Sequence, residues 1–125
     1  MIALDTNVLV RLVTRDNEAQ AQRAKAVFDA QEEHGSLFVS DIVLIELCWT
    51  LSRSYQLTRA LRALLGNSSI ALESPRAVRD ALNNFETLTV DFSDCLIVAK
   101  ARDAGCSHTI TFDRRMKLLP EVELL

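Results

Sequence analysis

Three features of the sequence predict an α/β fold, a three-layer α/β/α sandwich around a central parallel sheet of four to five short strands. Short apolar runs alternate with helical patterns along the whole chain. Those runs are continuous rather than alternating, as expected of strands covered on both faces. The 125 residues are 49% hydrophobic with only three glycines and two prolines, which suits one domain over 1–125 and not a loop-rich or disordered chain.

The elements follow in order. Ile2 to Leu4 reads as a first buried strand, and Asn7 to Val13 as a short helix with Val8, Leu9, Leu12 and Val13 inward. Asp16 or Asn17 caps a second helix, which keeps Ala24, Val27, Phe28 and Gln31 in step. Leu37 to Val39 is the second strand, and Ser40 or Asp41 opens a helix reaching about Ser54. Thr58 starts another helix, which Gly66 suits as an end. Ile70 to Leu72 is the third strand. Ser74-Pro75 is a cap and first-turn pair for a helix to about Leu88. Asp91 or Ser93 opens a helix ending near Gly105. Ser107 to Phe112 is a fourth strand and Val122 to Leu124 a fifth.

Composition narrows the function. No apolar run approaches the ~20 residues of a membrane span, and the first residues carry no secretory pattern, so a cytoplasmic protein is expected. Cys48, Cys95 and Cys106 lack metal or redox spacing and read as reduced, buried thiols. The net charge of −3 gives no general attraction to a polyanion. The bases are uneven, however: Arg53, Arg59 and Arg62 fall in one stretch, and Arg114, Arg115 and Lys117 in another. Such runs are usually solvated faces.

Four acids stand out because each ends or interrupts an apolar segment. Asp5 directly follows the first strand and Asp113 the fourth, at the edge where open α/β sheets bind ligands, although aspartate is also a common turn residue. Glu46 lies in the helix Ile42-Val43-Leu44-Ile45-Glu46-Leu47-Cys48-Trp49, apolar nearly all round. It should therefore be largely buried, where a carboxylate needs a counter-charge. Asp94 opens the apolar Asp94-Cys95-Leu96-Ile97-Val98-Ala99, with Asp91 three residues earlier as a cap or a further site acid. Gathered into one site, such carboxylates would repel unless a cation joined them. Oxygen-only ligation suits Mg²⁺ or Mn²⁺ rather than Zn²⁺. His34 and His108 have no metal-ligand spacing, so a histidine base is not expected.

The pieces Leu4-Asp5-Thr6-Asn7-Val8-Leu9, Ser40-Asp41-Ile42-Val43-Leu44-Ile45-Glu46, Phe92-Ser93-Asp94-Cys95-Leu96-Ile97-Val98-Ala99 and Thr109-Ile110-Thr111-Phe112-Asp113 together resemble the PIN domain nucleases, specifically the short VapC-type toxins of bacterial toxin–antitoxin pairs. The resemblance spans essentially the whole chain. It implies an α/β/α sandwich, clustered acids holding Mg²⁺ or Mn²⁺, and cleavage of RNA phosphodiesters. It places the three core acids on Asp5, Glu46 and Asp94 and the more variable fourth on Asp113. Thr6, Asn7 and Thr111 fall where the family often has supporting polar groups. It further implies a homodimer and an antitoxin that blocks the site.

The expected reaction is metal-assisted hydrolysis, with Glu46 as ligand or water-orienting group and nearby arginines on flanking phosphates. Three rivals are weaker. A receiver-type phosphoryl acceptor wants an acid pair after the first strand and an Asp after the third, and Ile70-Ala71-Leu72-Glu73 has none. A phosphatase with an aspartyl nucleophile wants a second Asp where Asn7 stands. A non-catalytic binding module on the same sandwich would be favoured by loss of a core acid, and all are present.

Overall fold

The structure, a computed structural model, describes residues 1–31, 35–51 and 53–125. The His34 reading and the segment joining the third and fourth helices at position 52 lie outside the described residues. The chain divides into two compact units, Met1–Ser74 and Pro75–Leu125.

In the first unit β1 (Ile2–Ala3), α1 (Thr6–Thr14), α2 (Glu18–Asp29), β2 (Leu37–Val39), α3 (Asp41–Thr50), α4 (Ser54–Gly66) and β3 (Ile70–Leu72) follow one another. The strands form a parallel sheet in the order β1-β2-β3, pairing Ile2 with Leu37 and Leu37 with Ile70. The ladder continues past the strand ends, with Leu4 N–H donating to Phe38 O at 2.9 Å and Glu73 N–H to Val39 O at 3.1 Å. Because all three strands run the same way, the residues that follow them, Asp5, Ser40-Asp41 and Glu73-Ser74, share one edge. β2 is central and buries Leu37 and Val39 fully, and Leu44, Leu47 and Leu61 are likewise fully buried. β1 lies at the sheet edge, and its Ile2 is exposed.

Caps explain where these helices begin. The Asn17 side chain accepts from Gln20 N–H at 3.1 Å and starts α2. The Ser40 hydroxyl accepts from Val43 N–H at 3.3 Å and starts α3, which settles that cap on Ser40 rather than Asp41. α2 buries Ala21 and Ala24 but leaves Val27 exposed, and it stops before Gln31. The expected boundary between the next two helices is moved: α3 closes at Thr50 and α4 opens at Ser54. Leu51 leaves the helix with an extended backbone, and its N–H still closes on Leu47 O at 2.9 Å. Leu51 is buried, and no glycine or proline marks this helix end. Gly66 is the last residue of α4 and not a left-handed cap beyond it.

The second unit holds α5 (Pro75–Thr87), α6 (Phe92–Asp103), β4 (Thr109–Thr111), a 3₁₀ helix (Arg114–Leu118) and β5 (Val122–Leu124). β4 and β5 are parallel, with Thr109 opposite Val122. Pro75 begins α5, where a missing N–H costs nothing. α5 turns Ala77, Val78, Ala81 and Leu82 inward, the i, i+1, i+4, i+5 stripe of an amphipathic helix. It packs on α6, where Phe92 is 2% exposed and meets Phe85 edge to face at 6.0 Å. α6 ends in a Schellman motif: Gly105 takes φ +89°, Cys106 N–H reaches Ala101 O and Gly105 N–H reaches Arg102 O, both at 3.0 Å. β4 is shorter than expected, and Phe112 projects at 80% exposure. Among the described residues no helix is long and apolar enough to cross a membrane.

Candidate functional site: acids at strand and helix ends

Asp5 occupies the N-cap position of α1, with φ −81° and ψ 158°, but its side chain makes no capping bond. Its carboxylate is exposed and not engaged in holding the helix, so the turn-residue explanation does not account for it. Thr6 beside it is only 5% exposed, and its hydroxyl has no hydrogen-bond partner among the described residues. A buried oxygen left this way is costly, on the order of 1–3 kcal/mol. Asn7 is exposed in the first turn.

Glu46 corrects the sequence reading. It is exposed, not buried. α3 buries Val43, Leu44 and Leu47, while Ile42 (71%) and Trp49 (75%) face outward with Glu46. An all-apolar composition does not oblige a helix to bury every face. The argument that burial forces a counter-charge on Glu46 therefore falls, and its carboxylate is simply available.

Sequence reasoning missed the rest of this edge. Asp41 Oδ2 accepts from the Ser74 hydroxyl at 2.8 Å, and Asp41 N–H donates to Glu73 Oε1 at 3.1 Å. These groups tie the ends of β2 and β3 together across more than thirty residues of sequence. The available signal was an acid close behind each apolar triplet: Asp41 two residues past Leu37-Phe38-Val39, and Glu73 directly after Ile70-Ala71-Leu72.

In the second unit, Asp91 is the N-cap of α6 without a side-chain capping bond, and Asp94 sits in the first turn. Burial raises the Asp94 carboxyl above its ordinary pKa. The neighbouring charges of Asp91 and then Asp113 raise it further, and Arg115 partly offsets them. Asp91, Asp94, Asp113 and Arg115 thus form one electrostatic group. Asp113 has a structural duty as well. Its Oδ1 accepts from Arg115 N–H at 2.9 Å and caps the 3₁₀ helix, with the Arg115 Nε 3.7 Å away. Thr111 steadies this turn: its hydroxyl accepts from Asp113 N–H at 3.0 Å and lies 3.5 Å from Met116 Sδ. The sequence marked Arg115 only as part of a basic run, because its pairing depends on the turn that follows β4.

Cys95 is buried, and its thiol is pushed up to about 11, first by burial and then by Asp94 and Asp91. Cys48 is half-buried. Cys106 is exposed, contrary to the expectation of three buried thiols, because it follows the Schellman turn onto the surface. All three are free. His108 is exposed, with Nδ1 2.8 Å from the Ser107 hydroxyl and Nε2 3.4 Å from Glu123.

Within either unit, no three acidic, histidine or cysteine side chains among the described residues are grouped to hold a metal ion. The donor chemistry nevertheless suits a hard divalent cation. The oxygens are carboxylate and hydroxyl, and Asp94 is held toward its protonated form by burial and by other carboxylates.

Parallel strands alternating with helices define the class, an α/β protein, with carboxylates following strands in each unit and Asp94 in the first turn of α6. The chain belongs to the PIN domain family, whose family model matches residues 2–122 and so runs through both units. It is similar to a VapC ribonuclease of Aquifex aeolicus (strain VF5), 28% identical over 125 residues, covering 95% of this chain and 92% of that protein. Among solved structures it is similar to a toxin–antitoxin complex from Klebsiella pneumoniae, at 21% identity and TM-score 0.39, covering 98% of this chain and 96% of that one. It is also similar to VapBC2 from Rickettsia felis bound to a DNA fragment from their promoter, at 19% identity and TM-score 0.38, covering 100% and 98%.

Proposed function

We propose that this chain acts as a single PIN domain, a divalent-metal-dependent endoribonuclease and the toxin of a toxin–antitoxin pair, with Asp5, Glu46, Asp94 and Asp113 as its catalytic, metal-binding carboxylates. The observation that carries this reading is the grouping of acids in the second unit, within electrostatic reach of one another. Asp94 is held above the ordinary carboxylate range beside Asp91 and Asp113, within a chain whose PIN match spans 2–122. The 28% identity to a VapC ribonuclease over nearly the full length supports the substrate class.

Mg²⁺ or Mn²⁺ is the proposed ion. When bound, it supplies Lewis acidity toward the phosphodiester and makes water a competent nucleophile near neutral pH. The chain's own groups do the rest. Asp5, uncapped and exposed, is a ready ligand. Asp94, in the first turn of α6 beside Asp91, would hold the ion through its carboxylate. Asp113, fixed by Arg115 N–H and by Thr111, presents its second oxygen in a constant orientation. Glu46 serves as a ligand or orients water, and Thr6 and Asn7 support the Asp5 turn. Water adds its oxygen to phosphorus, the P–O3′ bond breaks, and the proton passes to the departing 3′-oxygen. The products carry 5′-phosphate and 3′-hydroxyl ends, with no part for the ribose 2′-hydroxyl.

The proposed setting is the cytoplasm, as a homodimer partnered by an antitoxin. The exposed Ile42 and Trp49 of α3 offer apolar surface that a protein partner would cover. The test is cleavage of RNA by the purified chain with Mn²⁺, with and without EDTA, beside Asp5→Asn and Asp94→Asn. Chelator-sensitive cleavage, lost in both variants, is expected. A 2′,3′-cyclic phosphate product, or cleavage that persists in EDTA, would overturn the reading.

A further inference from the structure

We propose that Tyr55 and Arg59 on α4, with Arg53 at its start, form a contact surface for single-stranded RNA. The inference rests on the ribonuclease reading and adds residues to which that reading gives no part. Tyr55 is 68% exposed, although a large aromatic side chain in water gains nothing for folding. The Arg59 guanidinium lies over its ring, 5.6 Å from the centroid. The two are four residues apart, on one face of α4. A cation thus lies over the ring while most of the side chain stays exposed, which offers a flat surface for a nucleobase beside a charge that can meet its phosphate.

The surroundings favour an anion. Residues 47–72 contain no aspartate or glutamate at all, in a chain whose net charge is −3. That stretch carries Arg53, Arg59 and Arg62, and both Arg53 and Arg59 are exposed. α4 itself buries Leu57, Ala60, Leu61 and Leu64, so Tyr55 and Arg59 are not needed to seat the helix. Stacking on an aromatic ring is tolerant of base identity, and arginine fits phosphate oxygens in pairs. Together they suit a flexible single strand better than a rigid duplex groove.

The experiment is fluorescence anisotropy of a labelled mixed-sequence 12-mer oligoribonucleotide with the full chain in EDTA, so that binding is read without cleavage. Tyr55→Ala should weaken binding by about 5- to 150-fold, the usual range for loss of one stacked base. Tyr55→Trp should restore most of it. Arg53→Ala with Arg59→Ala should lower the slope of log affinity against log salt by about 1.4, at roughly 0.7 per phosphate on a single strand. Arg76→Ala, an exposed arginine of α5, controls for loss of one charge and should stay within about twofold. Unchanged affinity in both Tyr55→Ala and the double arginine variant overturns the proposal. So does a change in the solution mass of Tyr55→Ala with RNA affinity intact, which would make the surface a protein contact. Cleavage of the same RNA with Mn²⁺ by the unaltered chain tests the ribonuclease reading separately. Cleavage with α4 variants that bind normally removes the surface and leaves the nuclease. Binding through Tyr55 with no cleavage under either ion removes the nuclease and leaves the surface.

Discussion

Replacing Asp94 by Asn should make the metal-free protein more stable at neutral pH. Asp91 and Asp94 are three residues apart at the start of α6, and like charges at that spacing cost about 0.2–0.5 kcal/mol. Asp113 adds a smaller repulsion, while Arg115 returns part of it. The substitution also forfeits a carboxylate at a helix N-terminus, worth about 0.3–1 kcal/mol in the opposite sense. Burial, the leading cause of the raised pKa, tips the sum against the charged form. The variant should therefore melt a little above the parent at pH 7. The pH dependence fixes the cause. A carboxyl whose folded pKa is raised favours the fold fully only below its unfolded value, near 3.8, and loses that contribution as pH rises through the folded value. Thermal melts in EDTA across pH 3–8 should therefore show the variant and the parent alike at the acid end. The variant should pull ahead above the raised pKa. Saturating Mn²⁺ should reverse the order, because the parent gains about 2.7 kcal/mol at a hundredfold excess over Kd and the variant gains less. A variant less stable than the parent at pH 7, or a difference that ignores pH, would refute the electrostatic account of this group.

Other outcomes follow from the same structure. Ser40→Ala removes the cap of α3 and should cost about 1 kcal/mol, read as a Tm drop of a few degrees by calorimetry. Phe92→Ala empties a fully buried position beside Phe85 and should cost about 3–5 kcal/mol by urea unfolding. A maleimide reagent at pH 7.5 should label Cys106 quickly and spare Cys95 until denaturant is added, as mass spectrometry of the digested protein would report.

Local signals carried much of the fold. β2, β3 and β5 match the expected segments, β2 and β3 because each is a short apolar run closed by polar residues. Asn17 and the Gly105 turn were legible because a cap needs only residues within one helical turn of itself. The end of α3 at Thr50 was not, since the residue that follows, Leu51, is a buried apolar one with no glycine or proline beside it to mark a helix end. Glu46 was misread for a related reason: composition gives the apolar faces a helix has, and only packing selects which of them is covered. The link from Asp41 to Ser74 spans 33 positions, so no window of sequence contains it. Asp5 and Asp94 were visible because an acid that breaks an apolar run is conspicuous at any distance.

The most direct test of the proposed function is calorimetric titration of Mn²⁺ into the unaltered chain, Asp5→Asn and Asp94→Asn at neutral pH. If these side chains are ligands, the unaltered protein binds Mn²⁺ and each variant loses at least about tenfold in affinity, roughly 1.4 kcal/mol. Equal Mn²⁺ affinity in all three proteins, or no binding by any of them, would contradict it.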